Sequence, residues 1–92
     1  MQTKLLREIK NALPDLRKSE VKVAEFVLNK PEAIIELTTA QASGAIGVSE
    51  PTLIRFCQAI GFNGFQKFKL TLAQQLAADN YFNSYEIDPN DS

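Results

Sequence analysis

The amino-acid sequence predicts an all-α fold, a compact bundle of five to six short helices. Apolar residues recur at spacings of three and four along residues 3–78, and helix-capping and helix-ending residues interrupt this pattern at short intervals. No stretch alternates apolar and polar residues as a half-buried strand does. The 92 residues are 45% hydrophobic and 23% charged, which is ordinary for one folded globular domain.

Three helices are predicted in the first half of the chain. Residues 3–13 form an amphipathic helix that Pro14 ends. Ser19 is placed to cap a second helix, and Pro31 begins a short third one that ends near Leu37. The residues predicted to face the core are Leu5, Leu6, Ile9 and Leu13 in the first helix and Val23, Ala24, Val27 and Leu28 in the second.

A capped helix is predicted at residues 39–46. Thr38 with Gln41 three positions later has the form of a capping box, in which each side chain satisfies a backbone amide of the other residue. Gly47 is predicted to end the helix in the left-handed conformation that other residues resist. Gly44, in its interior, costs about 1 kcal/mol relative to alanine, which predicts a loosely held helix.

A second capped helix follows directly. Ser49 is placed to cap it, and Gly61 ends it. Its predicted apolar stripe is Leu53, Phe56, Cys57 and Ile60. Two short helices joined by a tight glycine-containing turn are a helix-turn-helix, in which the second helix enters the DNA major groove. The predicted bundle is therefore homeodomain-like.

The face opposite this apolar stripe predicts the contacts with DNA. At about 100° per residue, Pro51, Arg55 and Gln58 share that face. Arg55 suits a bidentate pair with guanine, and Gln58 suits one with adenine. Helix capping alone is the alternative for Thr38 and Ser49, and an ordinary solvated position is the alternative for Lys67 and Lys69. The full predicted set, with hydroxyls and lysines on phosphates, is Thr38, Ser49, Pro51, Thr52, Arg55, Gln58, Lys67 and Lys69.

The sequence predicts a last helix over residues 65–78 and an acidic linker or tail over residues 79–92. The helix presents Phe65, Phe68, Leu72 and Leu76 to the core. The tail carries four acidic residues and no Lys or Arg, a charge of −4, whereas the ten Lys and Arg of residues 1–78 exceed their seven acids by three. Its aromatic residues offer the alternative that it docks on a partner.

Several site chemistries are excluded by residue type. Cys57 is the only cysteine and the chain has no histidine, so neither an internal disulfide nor a Cys/His metal or nucleophile site is possible. Cys57 is predicted to be a small core residue. No pair of carboxylates is singled out by its spacing, so no catalytic residue, cofactor or metal is predicted. With no apolar run of about 18 residues and no signal peptide, we expect a cytoplasmic, nucleoid-associated protein without membrane contact.

A second class of function is open from the sequence. The acidic tail and the small positive excess also fit a helical protein-interaction or dimerisation module that does not bind DNA. The first helix, with Leu5, Leu6 and Ile9, is the candidate for a dimer contact, and burial of these residues within the monomer is the alternative.

A longer set of residues resembles the signature of the RpiR family and covers residues 4 to about 78. It consists of residues 47–57, residues 60–65, Phe68-Lys69, Leu72-Ala73, Leu76-Ala77, residues 16–24, Val27-Leu28 and Pro31. The chain departs from the family pattern in the first helix of the motif, where Thr39, Ala42 and Ser43 stand in place of an apolar residue followed by a Leu-Ala pair.

The resemblance implies the amino-terminal helix-turn-helix domain of a bacterial transcriptional regulator of sugar metabolism. Such proteins act as homodimers on operators in double-stranded DNA. A sugar isomerase-type domain normally follows and binds a phosphosugar effector. That domain is absent from this chain, so we expect residues 79–92 to lead to it and expect effector control only through it.

Overall fold

The computed structural model describes residues 4–87 and gives side-chain surroundings for residues 4–78. Within that range the chain forms six α-helices, one turn of 3-10 helix and no strand, which confirms the all-α prediction. The helices are α1 (Lys4–Ala12), α2 (Lys18–Asn29), α3 (Pro31–Ile35), α4 (Thr39–Ile46), α5 (Glu50–Ile60) and α6 (Phe65–Ile87), and the 3-10 turn, Leu13–Asp15, follows α1.

The core lies where the apolar faces of the helices meet. Phe56 of α5 and Phe68 of α6 are completely buried, and their rings meet edge to face with centroids 5.7 Å apart. Phe62, in the turn between these helices, packs on Phe68 in the same way at 5.7 Å. Edge-to-face pairs stabilise by about 0.5–1.5 kcal/mol beyond the area they bury. The buried hydrophobic residues are Leu5, Leu6, Ile9, Val23, Ala24, Val27, Ile34, Ala42, Leu53, Phe56, Cys57, Phe65, Phe68 and Leu72.

The apolar face of α1 is buried inside its own chain. Leu5, Leu6 and Ile9 are each at most 7% exposed. Gln75 of α6 also holds the start of α1, because its Oε1 accepts a hydrogen bond of 2.7 Å from the backbone N–H of Leu5. Of the two alternatives for this face, burial within the monomer is confirmed, which leaves these three residues little surface for a dimer contact.

The start of α2 differs from the prediction. The helix begins at Lys18 with Arg17 as its N-cap, so Ser19 lies inside the first turn and does not cap it. Glu20 is 7% exposed, and its Oε1 accepts a hydrogen bond of 3.2 Å from the Arg17 N–H. The Glu20 carboxylate thus reaches back from the first turn and satisfies the backbone N–H of the N-cap residue Arg17. The predicted cap at Ser19 gave this N–H no partner.

The end of α6 also differs from the prediction. The helix extends to Ile87, beyond the predicted end near Ala78. Residues 79–87 contain neither glycine nor proline, so nothing in the backbone forces a stop there. Asparagine and serine favour loops and helix ends, but they do not prevent a helix from continuing. Residues 88–92 of the predicted tail lie outside the described residues. Although α6 is long, no helix among the described residues combines the length and apolar character needed to cross a membrane.

Two glycines end helices as predicted. Gly47 after α4 has φ 90°, and Gly61 after α5 has φ 109°, both in the left-handed region. At the first of these, the Ser43 carbonyl accepts hydrogen bonds from the N–H groups of Gly47 at 2.8 Å and Val48 at 3.0 Å. The turn between α4 and α5 is therefore closed by hydrogen bonds that only a left-handed residue permits.

Alanine at the two glycines of this region should have opposite effects on stability. A Cβ at Gly44 would meet no atom within 4 Å, so Gly44→Ala should raise the free energy of unfolding by about 0.5–1 kcal/mol. Gly47→Ala should lower it by about 1–2 kcal/mol because alanine resists φ 90°. Urea denaturation of both variants measures this. Equal effects would contradict the assignment of the left-handed turn to Gly47.

Cys57 is buried in the core as the sequence predicts. It is 0% exposed, and burial raises the pKa of its thiol to about 12, because a thiolate loses its hydration there. Thiol reagents attack the thiolate, so the folded protein should be inert to them.

We expect Cys57 to react only after unfolding. A thiol-reactive dye at about pH 8 should leave the native chain unlabelled and should label it in guanidinium chloride. The same dye applied to Gly47→Ala, which opens more often, should react faster than with the wild-type chain. Rapid labelling of the stable wild-type chain would contradict the buried position of Cys57.

Candidate nucleic-acid interface

The amino end of α4 is closed by the predicted capping box. Thr38 is the N-cap, and its Oγ1 accepts a hydrogen bond of 3.1 Å from the Gln41 N–H. The Gln41 Oε1 accepts one of 3.0 Å from the Thr38 N–H. Both side chains are exposed, so Thr38 stands at the surface where α4 begins.

Two of the three residues of α4 that depart from the family pattern fit against the core. Ala42 is completely buried and Ser43 is 6% exposed. The Ser43 hydroxyl donates to the Ala40 carbonyl at 3.0 Å, so its burial leaves no polar atom unpaired. A serine at this position is therefore accommodated by a hydrogen bond within the helix.

The amino end of α5 is capped by Ser49. Its Oγ accepts a hydrogen bond of 3.3 Å from the Thr52 N–H and lies 2.9 Å from the Thr52 Oγ1. Ser49 is exposed, whereas Thr52 is only 7% exposed. When Thr52 donates in the hydroxyl pair, the hydrogen of Ser49 is left free for an acceptor outside the protein.

Thr52, a predicted phosphate contact, occupies a buried position. The geometry of an ideal helix placed it beside the exposed face, but its side chain is buried and its hydroxyl is bonded to Ser49. Through this hydrogen bond it supports the cap of α5. No signal in the spacing of the residues distinguishes these two roles.

The exposed face of α5 carries the three other predicted residues. Pro51, Arg55 and Gln58 are all exposed, while Leu53 and Phe56 on the opposite side are completely buried. This is the one-sided helix that the periodicity predicts. The half-buried Ile54 borders the face on the side away from Thr52 and adds an apolar edge to it.

The two predicted lysines of α6 have different surroundings. Lys67 is exposed. Lys69 is half-buried, with its Nζ donating to the Leu37 carbonyl at 2.7 Å and lying 4.7 Å from the centroid of the Phe65 ring. The ammonium that the sequence assigns to a phosphate therefore already contacts a carbonyl and an aromatic ring within the chain. The carbonyl lies 32 positions away in sequence, so no local pattern could have shown it.

The charge around these helices favours a polyanion. Residues 37–78 contain Arg55, Lys67 and Lys69 against the single acid Glu50. Arg55 and Lys67 are exposed, so two cationic groups are available on the surface of α5 and α6. Exposed hydroxyls at the helix starts, an arginine and an amide on one helix face, and an exposed lysine nearby are the group types that contact phosphates and base edges.

Comparison with known proteins gives relatives along almost the whole chain. The family model described as the helix-turn-helix domain of the rpiR family matches residues 3–79. The transcriptional regulator HexR of Pseudomonas aeruginosa is 38% identical over 87 residues, which cover 95% of this chain and 30% of HexR. The chain thus spans about 30% of the length of the curated relatives it matches.

Two solved structures share the fold. The crystal structure of the N-terminal domain of the transcriptional regulator YbbH from Bacillus subtilis has a TM-score of 0.75 and 34% identity, covering 83% of this chain and 93% of that domain. The NanR protein of Vibrio vulnificus, solved in complex with ManNAc-6P, has a TM-score of 0.79 at 24% identity, covering 90% of this chain and 32% of NanR. The family model covers more than half of the chain and the YbbH domain has the same fold, so this chain belongs to the rpiR family of helix-turn-helix domains.

Proposed function

We propose that this chain is the sequence-specific DNA-binding domain of a bacterial transcriptional regulator of sugar or phosphosugar metabolism. The observation that supports this most strongly is the one-sided α5, capped at Ser49 and exposing Pro51, Arg55 and Gln58 opposite its buried stripe. A second helix of this kind, held behind a closed turn, suits insertion into the major groove.

Each exposed side chain has a role that fits its chemistry. Arg55 pairs with guanine or a phosphate, Gln58 pairs with adenine, and Pro51 offers an apolar contact to a thymine methyl group. The hydroxyls of Thr38 and Ser49 and the ammonium of Lys67 contact phosphate oxygens. These contacts set the register of α5 in the groove, while Arg55 and Gln58 select the sequence.

Regulation by a metabolite belongs to the part of the protein beyond this domain. The rpiR family and the ManNAc-6P bound to NanR support a phosphosugar effector that acts through a sugar isomerase-type domain. Residues 79–92 would lead to that domain, with the first of them continuing α6.

The regulator would act in the cytoplasm, at the nucleoid. It would bind an inverted repeat as a homodimer. Sedimentation of the chain with and without its operator tests the homodimer.

Selection from random double-stranded DNA tests the proposed function. The chain is mixed with the pool at low salt and again near physiological salt, and the bound DNA is sequenced. An enriched palindrome supports a dimeric reader. A binder should show a log–log salt slope of about −0.9 per phosphate neutralised. Absence of binding at both salt concentrations would favour the alternative of a helical interaction module without DNA binding.

Arg55→Ala should weaken binding to the selected sequence by about 1–3 kcal/mol and relax the preference at one base position. Arg7→Ala is the matched control, because it removes the same charge from an exposed position of α1. Fluorescence anisotropy with the selected duplex and with a scrambled duplex measures both variants. We call the exposed face of α5, with Pro51, Arg55 and Gln58, the reading face. If Arg55→Ala and Arg7→Ala had the same small effect on both duplexes, the surface that reads the sequence would lie elsewhere.

A further inference from the structure

The Lys69 ammonium joins α6 to the connection between α3 and α4, which is distant in sequence. Its Nζ donates to the Leu37 carbonyl at 2.7 Å and lies 4.7 Å from the centroid of the Phe65 ring. The side chain is half-buried, so this charged hydrogen bond is less screened by water than one at an open surface. A hydrogen bond from an ion to a carbonyl, supported by an aromatic face, fixes the ammonium in one place.

The acceptor of this bond occupies a particular position. Leu37 is the last residue before Thr38, the N-cap of α4. Its own N–H donates to the Ile34 carbonyl at 3.2 Å, so the end of α3 holds the amide on one side while Lys69 holds the carbonyl on the other. The backbone that leads into the helix-turn-helix is thus tied to α6.

Thr38 and α5 must be correctly placed together for sequence to be read. Thr38 is a proposed phosphate contact, and phosphate contacts fix the register of a recognition helix on the duplex. A displacement of about 1 Å at such a contact is enough to misalign a bidentate pair with a base. A bond that fixes the peptide before Thr38 therefore acts on sequence reading without touching DNA.

We propose that Lys69 is a positioning residue of the DNA-binding domain: its bond to the Leu37 carbonyl fixes the amino end of α4 against α6 and thereby aligns the proposed phosphate and base contacts. This inference rests on the proposed function. It assigns to Lys69 a role different from that of Lys67, which is exposed two positions earlier on the same helix and is a proposed phosphate contact.

The two lysines form a matched pair for the test. Lys69→Met and Lys67→Met each remove one charge while keeping a long apolar stem. Affinity is measured for the selected duplex and for a scrambled duplex at several salt concentrations, together with the thermal midpoint of each variant. The specificity ratio, selected over scrambled, is the decisive quantity, because a variant that is merely less folded binds both duplexes less by the same factor.

Lys69→Met should lower the specificity ratio by about five- to tenfold and leave the salt slope unchanged, because an ion–carbonyl hydrogen bond is lost but no phosphate contact is. Lys67→Met should weaken both duplexes together and make the log–log salt slope shallower by about 1. A shallower slope for Lys69→Met would overturn the proposal and assign Lys69 to a phosphate. An unchanged specificity ratio would overturn it as well.

Amide hydrogen exchange gives a second measurement that needs no DNA. The N–H groups of Gln41 and Ala42 donate to the Thr38 side chain and carbonyl. Both should exchange faster in Lys69→Met and remain unchanged in Lys67→Met. If the wild-type chain selects no DNA sequence, the proposed function fails by that result alone. Unchanged amide exchange in Lys69→Met would separately overturn the role of the Lys69–Leu37 hydrogen bond in positioning α4.

Discussion

The packing of α5 against α2 and α6 is the interaction on which the rest of the structure depends. Phe56 and Phe68 are fully buried against each other, and Leu53 and Cys57 of α5 belong to the same core cluster as the buried residues of α2. An 11-residue helix that commits one face to this core must turn the opposite face outward. The exposure of Arg55 and of its neighbours on that face is therefore a consequence of the core, and a change that rotates α5 on Phe68 also moves the reading face.

The helices that carry this face are too short to be stable alone. α4 has eight residues, and isolated helices below about 12–15 residues are marginal in water. Backbone groups at both of its ends are hydrogen-bonded: the capping box of Thr38 and Gln41 satisfies amides at the start, and the left-handed Gly47 lets the chain bond back to the helix at the end. The same two closures determine where the surface hydroxyl of Thr38 lies and at what angle the chain enters α5. Helix stability and site geometry thus depend on the same few hydrogen bonds.

The sequence predicted what depends on neighbours within one helical turn. The capping box of Thr38, the cap at Ser49 and the stripe through Leu53 and Phe56 are local patterns, and the structure confirms them. It did not predict the bond from Lys69 to Leu37, because that contact exists only once α3 and α6 have packed. The sequence also did not predict the burial of Thr52 or the hydrogen bond to Glu20 at the start of α2. In both places more than one polar residue could satisfy the helix end, and packing with the rest of the chain decides which one does.

α6 contacts α5, α1 and the peptide that leads into α4. Phe68 supports α5, the bond from Lys69 holds the peptide before α4, and Gln75 caps the start of α1. These three contacts lie along one continuous helix, whose backbone extends to Ile87. A helix is stiff along its axis, so its position at one end is linked to its position at the other. The orientation of the reading face for this reason depends on α6 as well as on the turn between α4 and α5.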